Sequence, residues 1–216
     1  MGIKVLEAED ADMDRIFEIT SLAFADNEPM WDVMYPKHWL DSGRKIGAER
    51  MRQIKNTDPL TTFMKAVDEE SGVVMGMAKW NIYDNTLPDL DTIKPVGEFW
   101  ENDDEKMYAS SMTQLFLAER NAAIRQSNGN LVSLDILTVH PAYQRKGVGD
   151  ALVRWGTRKA DGLGVEAIVE SSVLGKGLYE KHGYVFVKDV VMRAPGDKWK
   201  DRPEAKFAWL IRPKKG

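Results

Sequence analysis

Six consecutive residues, Gln144-Arg145-Lys146-Gly147-Val148-Gly149, have the types and order needed to hold an anion. They follow an apolar run, Leu131 to Val139, and lead into Asp150-Ala151-Leu152-Val153-Arg154-Trp155. That order predicts a strand, a glycine-containing turn and a helix. Such a turn aims several main-chain N–H groups and the positive end of the helix at one point, a geometry that binds phosphate. Gly147 and Gly149 let the main chain approach an anion without a Cβ in the way, and Arg145 and Lys146 add positive charge. Two nucleotide loops are excluded. Asp150 follows the last glycine, so there is no G-x-x-x-x-G-K-[ST], and the third glycine of G-x-G-x-x-G is missing.

What remains, Q-x-x-G-x-G after Leu137-Thr138-Val139-His140-Pro141, resembles the acetyl-CoA loop of the GNAT N-acetyltransferase superfamily. About thirty residues on, Leu178-Tyr179-Glu180-Lys181-His182-Gly183-Tyr184 is similar to the family's L-Y-E-K-x-G-F element, in which a helix presents a tyrosine toward the CoA sulfur. The resemblance covers Leu131 to about Val187 closely, and the N-terminal strand and helix more loosely. It implies an α/β (α+β) fold: a mixed, mostly antiparallel sheet with helices on both faces and a splayed central strand pair. It also implies acetyl-CoA as co-substrate and no metal. Gln144, Arg145, Lys146, Gly147, Val148, Gly149 and Asp150 would then meet the pyrophosphate. Leu137, Thr138 and Val139 would line the pantetheine, joined by Ser172 and Tyr179. Ser172 stands where many relatives have asparagine, and Gly175 where many have alanine, which puts one pantetheine hydrogen bond in doubt.

Transfer of an acetyl group to an amine sets further demands. An alkylamine with a pKa near ~10.4 is mostly protonated at neutral pH, so a proton acceptor is needed. Developing negative charge on the carbonyl oxygen needs N–H donors, and a departing thiolate gains from a proton donor. The family motif makes Tyr179 the donor candidate. Strand alternation places Ser133, Asp135, Leu137 and Val139 on one face and Leu134, Ile136 and Thr138 on the other. Asp135 is then an acid within an apolar strand, where desolvation raises a carboxyl pKa and suits it to proton uptake. Pairing with a lysine or arginine is the competing role. Glu170, at the end of the next strand, is the second candidate base or a contact to CoA. Trp31, Trp39, Trp80 and Trp100 lie in segments expected around an acceptor, and Glu28 lies in a helix–helix loop that borders it. Of these, Glu28, Trp31, Trp80 and Glu170 are the substrate-binding candidates.

The elements that must position these residues follow from the pattern. Ile3 to Leu6 is a short strand, and Asp10 or Asp12 caps a helix carrying Ile16, Ile19, Ala23 and Phe24. Asn27 to Trp31 breaks that helix. A second runs from about Lys37 to Ile54, weakened by Gly43 and Gly47. Thr61–Val67 and Val73–Trp80 form a hairpin turning at Ser71-Gly72. A Pro/Asp-rich loop, Asp84 to Glu101, and a helix from about Asp103 to Gln126 depart from the most compact form of the family. That helix has a predicted face of Tyr108, Met112, Leu115, Phe116, Ala118 and Ala122. Residues 1–216 are expected to form one acyltransferase domain with this insertion at about 84–128, either a packing layer or a wall of the acceptor pocket.

Composition bounds the partners. The chain has 216 residues and a formal net charge of -4, which gives no basic field for nucleic acid. No apolar run has bilayer length and no charged-then-apolar leader opens the chain, so a cytoplasmic protein without membrane contact is expected. The absence of cysteine excludes an acetyl-cysteine route, and three histidines make a histidine metal cluster an unattractive reading. The leading expectation is direct transfer to a small-molecule amine. A protein N-terminal or lysine acetyltransferase and a non-catalytic acyl-CoA-binding module remain alternatives. Quaternary state stays open between monomer and homodimer.

Overall fold

A computed structural model describes residues 2–25, 28–91 and 99–215. Asn27 and part of the 84–101 loop singled out above lie outside the described residues. The strands are β1 (Ile3–Glu7), β2 (Thr61–Asp68), β3 (Val74–Tyr83), β4 (Leu131–Val139), β5 (Glu166–Ser171), β6 (Val185–Met192) and β7 (Ala205–Arg212). The helices are α1 (Met13–Phe24), α2 (Pro29–Met34), α3 (Asp41–Thr57), α4 (Asp103–Gln126), α5 (Val148–Leu163) and α6 (Lys176–Lys181). The strands form one seven-stranded sheet in the order β1-β2-β3-β4-β5-β7-β6. Neighbours are antiparallel except β4 and β5, which run parallel.

Alternation along the strands feeds two apolar layers. Met64, Ala78, Trp80, Val132 and Leu134 pack with Leu152 and Val153 of α5 on one face. Phe63 and Met77 pack with Met13, Ile16 and Phe17 of α1 and Met51 of α3 on the other, where Leu131 also meets Met112 and Ile124 of α4. The glycines of α3 do not break that helix. Gly47 lies against the Phe17 ring, where any Cβ would come within 2.0 Å of it, so the absence of a side chain lets α1 and α3 approach. The break expected at Asn27 to Trp31 holds a short helix, α2, which starts with Pro29 at its first turn, where a missing N–H costs nothing.

Two irregularities in β4 create the site. The β4–β5 pairing ends at Leu134↔Val169, while β4 continues beside β3 as far as Gly76↔Val139. Beyond Leu134 the β5-facing edge of β4 is therefore open, and β5 turns to β7 through Glu170↔Trp209 and Ser171↔Ala208. The opening starts earlier than the Leu137–Val139 segment expected from sequence. The second irregularity is a bulge. Lys79 pairs with Ile136 and Trp80 with Leu134, leaving Asp135 without a cross-strand partner. The extra residue reverses the alternation. Leu137 and Val139 consequently join Val132 and Leu134 on the α5 face, not Ser133 and Asp135 as strict alternation predicts.

Candidate active site

Thr138 hydroxyl lies 3.0 Å from that of Thr20 in α1, which fixes the end of β4 against the helix. A short 3-10 turn over Pro141–Tyr143 follows, with His140 as its cap: the Ala142 N–H donates to His140 Nδ1 at 3.2 Å. The chain then enters the turn at 144–150. Arg145 has φ of 60° and Gly147 φ of 87°, two left-handed residues that curl the main chain around one point. No main-chain carbonyl among the described residues accepts from the N–H groups of Arg145 to Asp150, and the first such bond is Ala151 N–H to Gly147 O at 3.0 Å. Six successive donors are thus free at the N-terminus of the sixteen-residue helix α5. Arg145 is exposed beside them.

The side chains of the turn divide their work. Gln144 Nε2 donates to Val139 O at 3.2 Å and Lys146 Nζ to Ala142 O at 2.9 Å, both bracing the loop. The Asp150 carboxylate does not face the anion point. It pairs with Lys181 at 2.8 Å and His182 at 3.0 Å, and so ties the turn to the end of α6. The side-chain hydrogen bond from Lys181 leads the effects that hold it below the usual aspartate range. Only its main-chain N–H is available to an anion.

Where β4 and β5 part, a cavity of about 220 Å³ opens, lined by both strands, α2, Phe116 of α4 and Tyr179 of α6. Its floor is a closed network of four charges. Arg120 holds Glu170 with two bonds, Nε–Oε1 3.0 Å and Nη2–Oε2 2.7 Å, and reaches Asp135 at 2.6 Å. Lys79 meets the other Asp135 oxygen at 2.6 Å. Burial works to raise the Asp135 carboxyl, but Arg120 and Lys79 outweigh it and hold the group well below the usual carboxylate range. That is opposite to the direction expected from sequence. A carboxylate so stabilised is a weak proton acceptor, and the competing role of ion-pair partner is the one observed. Glu170, with its side chain fully enclosed, is also an ion-pair partner of Arg120, but there burial outweighs the guanidinium and pushes the carboxyl above the usual range.

Glu28 differs. It sits at the N-terminus of α2, half-buried in the cavity wall, with no cation paired to it among the described residues. Burial pushes its carboxyl above the usual range, and the nearby Ser172 hydroxyl offsets this only in part. Tyr179 faces the same space. Its phenol is raised far above the ordinary value, first by burial and then by the charge of Glu28, and no described residue hydrogen-bonds it. Tyr184 packs edge-on against it at 5.7 Å. Ser172 accepts the Gly175 N–H at 3.2 Å and so shapes the loop into α6.

The tryptophans separate by face. Trp31 lines the cavity, stacked on Tyr35 at 4.2 Å and close to Phe17 and Phe24. Trp80 does not reach it. In step with Ala78 along β3, Trp80 lies on the α5 face, fully buried and 6.4 Å from Trp155, so its place among the acceptor candidates is corrected. Trp39 is exposed, and Trp100 donates to Val33 O at 3.0 Å.

Arg120 and Arg50 were missed from sequence. In α4 the buried residues are Tyr108, Ala109, Met112, Arg120 and Ile124, whereas Ala118 of the predicted face is exposed. A spacing of four from Tyr108 through Met112 and Phe116 to Arg120 and Ile124 was the available signal.

A family model for the acetyltransferase (GNAT) domain matches residues 103–186, from the start of α4 into β6. No curated protein matches the chain. Among solved structures, mosquito arylalkylamine N-acetyltransferase like 5b is 15% identical with a TM-score of 0.67, covering 98% of this chain and 100% of its own. A polyamine N-acetyltransferase of Drosophila melanogaster that forms N-acetylagmatine is 13% identical with a TM-score of 0.66, over 98% and 100%. A phosphinothricin acetyltransferase of Sinorhizobium meliloti, in complex with AcCoA, is 19% identical with a TM-score of 0.56, over 99% and 89%. Residues 103–186 thus match the acetyltransferase (GNAT) domain, and the whole chain, with its parted β4–β5 pair and the bare-amide turn at the start of α5, shares the fold of these N-acetyltransferases.

Proposed function

We propose that this protein moves an acetyl group from acetyl-CoA directly to the amine of a small molecule. The observation that carries the reading is the pairing of Glu28 with Tyr179 in one cavity at the fork of β4 and β5, where among the described residues the carboxylate has no cation and the phenol no hydrogen-bond partner. Residues 1–216 act as one domain, in which the 84–128 segment contributes Phe116 to the wall and Arg120 behind the floor carboxylates Asp135 and Glu170. Small amines are favoured over peptides by the enclosure of this space, and the relatives named for arylalkylamines and polyamines point the same way.

The residues at the fork fit the co-substrate. The N–H groups of Arg145 to Asp150, with the Arg145 side chain, would take its diphosphate. The open edge of β4 from Ile136 to Val139 would pair with its amide-bearing arm as an added strand does. Acetyl-CoA supplies the thioester carbonyl that an amine attacks. The work of this chain is then to manage protons. Glu28 accepts the proton of the incoming ammonium, because burial has raised its carboxyl toward the range in which proton uptake is favourable. Tyr179 keeps its proton on Oη at any neutral pH and can give it to a leaving sulfur. Asp135 and Glu170 hold the floor rigid through Arg120.

The test is CoA release with acetyl-CoA and a panel of arylalkylamines, polyamines, amino acids and peptides, with the acetylated product identified by mass. Turnover confined to small amines is expected. Turnover with peptides alone would replace the acceptor assignment, and CoA binding without turnover would leave only a binding module.

A further inference from the structure

The charges lining the cavity do not cancel. Lys79, Asp135 and Glu170 are closed upon one another through Arg120, which leaves Glu28, Arg50 and, at the rim, exposed Lys206. Arg50 is the unusual one. It projects from α3 between aromatic rings, 4.2 Å above Tyr35 and 4.5 Å from Phe99, with Trp100 at 5.7 Å. A guanidinium carries five N–H donors in a fixed fork. One of them is used, Nη1 to Met34 O at 2.6 Å. No carboxylate among the described residues pairs with Arg50, whose charge burial opposes and whose guanidinium lies over the neutral Tyr35 ring. Stacking fixes the plane of the fork and Arg50 lines the cavity, an arrangement matched to a bidentate carboxylate.

We propose that the acceptor is an amine carrying a carboxylate several bonds away, held by Arg50 while Glu28 meets the amine. The assignment deepens the transfer reading above and rests on it. Its geometry comes from α2. Glu28 lies immediately before this six-residue helix, whereas Met34 and Tyr35, which anchor Arg50, lie at its end. At about 1.5 Å per residue the two ends stand on the order of 9 Å apart. An acid and an amine on one carbon do not span that distance, whereas an ω-amino carboxylate does. The aromatic and aliphatic wall between them, with Trp31 and Met30, suits the apolar middle of such a molecule. Plain diamines would set a second cation against Arg50.

The experiment compares 4-aminobutanoate, 6-aminohexanoate and 8-aminooctanoate with their amides and with the matching diamines, as kcat/KM for CoA release. Binding of the same compounds to the CoA-loaded protein is followed by calorimetry. For at least one chain length the acid should exceed its amide by about tenfold or more. That ratio should fall to near one in Arg50→Gln and survive in part in Arg50→Lys, which keeps the charge and loses the fork. Because the ratio is taken within each variant, reduced folding cannot produce its collapse. Equal rates for acid and amide, a preference for diamines, or a ratio unchanged in Arg50→Gln would overturn the carboxylate site while acetyl transfer stands. Acid-over-amide discrimination in calorimetry without CoA release from any compound would uphold the site and overturn the transfer reading.

Discussion

At the cavity floor and behind it, Lys79, Arg120, Asp135 and Glu170 consume one another's charge within 2.6 to 3.0 Å, whereas the turn from Arg145 to Asp150 leaves six N–H groups with no acceptor among the described residues. Both are polar and both flank the same fork, yet they do opposite things. Groups that satisfy one another hold a shape, and groups left unsatisfied at a surface are free for a ligand. The same contrast sorts the carboxylates. Asp135 and Glu170 are spent on Arg120, and Glu28 is not.

The contrast can be broken experimentally, and the largest effect is expected at the turn. Gly147→Asp puts a Cβ on a residue with φ of 87° and a negative charge among the free donors. CoA affinity measured by calorimetry should fall more than about a hundredfold, and unchanged affinity would remove the anion role from the turn. A second comparison sets Asp135→Asn against Glu28→Gln. Asp135→Asn leaves buried cations undercompensated and should cost about 3–5 kcal/mol in urea unfolding. Because the native Asp135 carboxyl is depressed, its stabilisation is present above the unfolded value and is lost as pH falls from about 4 toward the native value. Glu28→Gln should instead spare stability and lower kcat by about a hundredfold. It should also abolish the acidic limb of the pH–rate profile, which lies above the ordinary glutamate range because burial raises this carboxyl. A limb that persists in Glu28→Gln and vanishes in Asp135→Asn would exchange the two roles. The smallest effect is reserved for Tyr179→Phe, with kcat down about tenfold and CoA affinity nearly intact; equal turnover would remove the phenol from the mechanism.

What could be read from sequence follows the range of the interaction involved. The turn at 144–150, the strand before it and helix α4 were legible because glycine spacing, alternation and capping are local. The helix also carries a cap that was not anticipated, the Glu105 N–H donating to Asn102 Oδ1 at 3.0 Å. The bulge at Asp135 was not legible. It depends on how β3 and β4 pair, and a single inserted residue sent Leu137 and Val139 to the other face. Arg120 lies fifteen positions from Asp135 and fifty from Glu170, so no local pattern announces their meeting. Glu28 was placed at the border of the acceptor, but its lack of a cation is a property of the assembled fold. Strands β6 and β7, which complete the sheet beyond β5, had no motif to mark them.

The early parting of β4 from β5 carries an implication for how such a chain can diverge. A donor gripped by an exposed strand edge and by bare amides is recognised through atoms that nearly every amino acid possesses. Mutation can therefore rewrite most side chains along that route without erasing the grip, and selection can act on the opposite wall, where acceptors are sorted. Proteins that share under a fifth of their residues can keep one forked sheet.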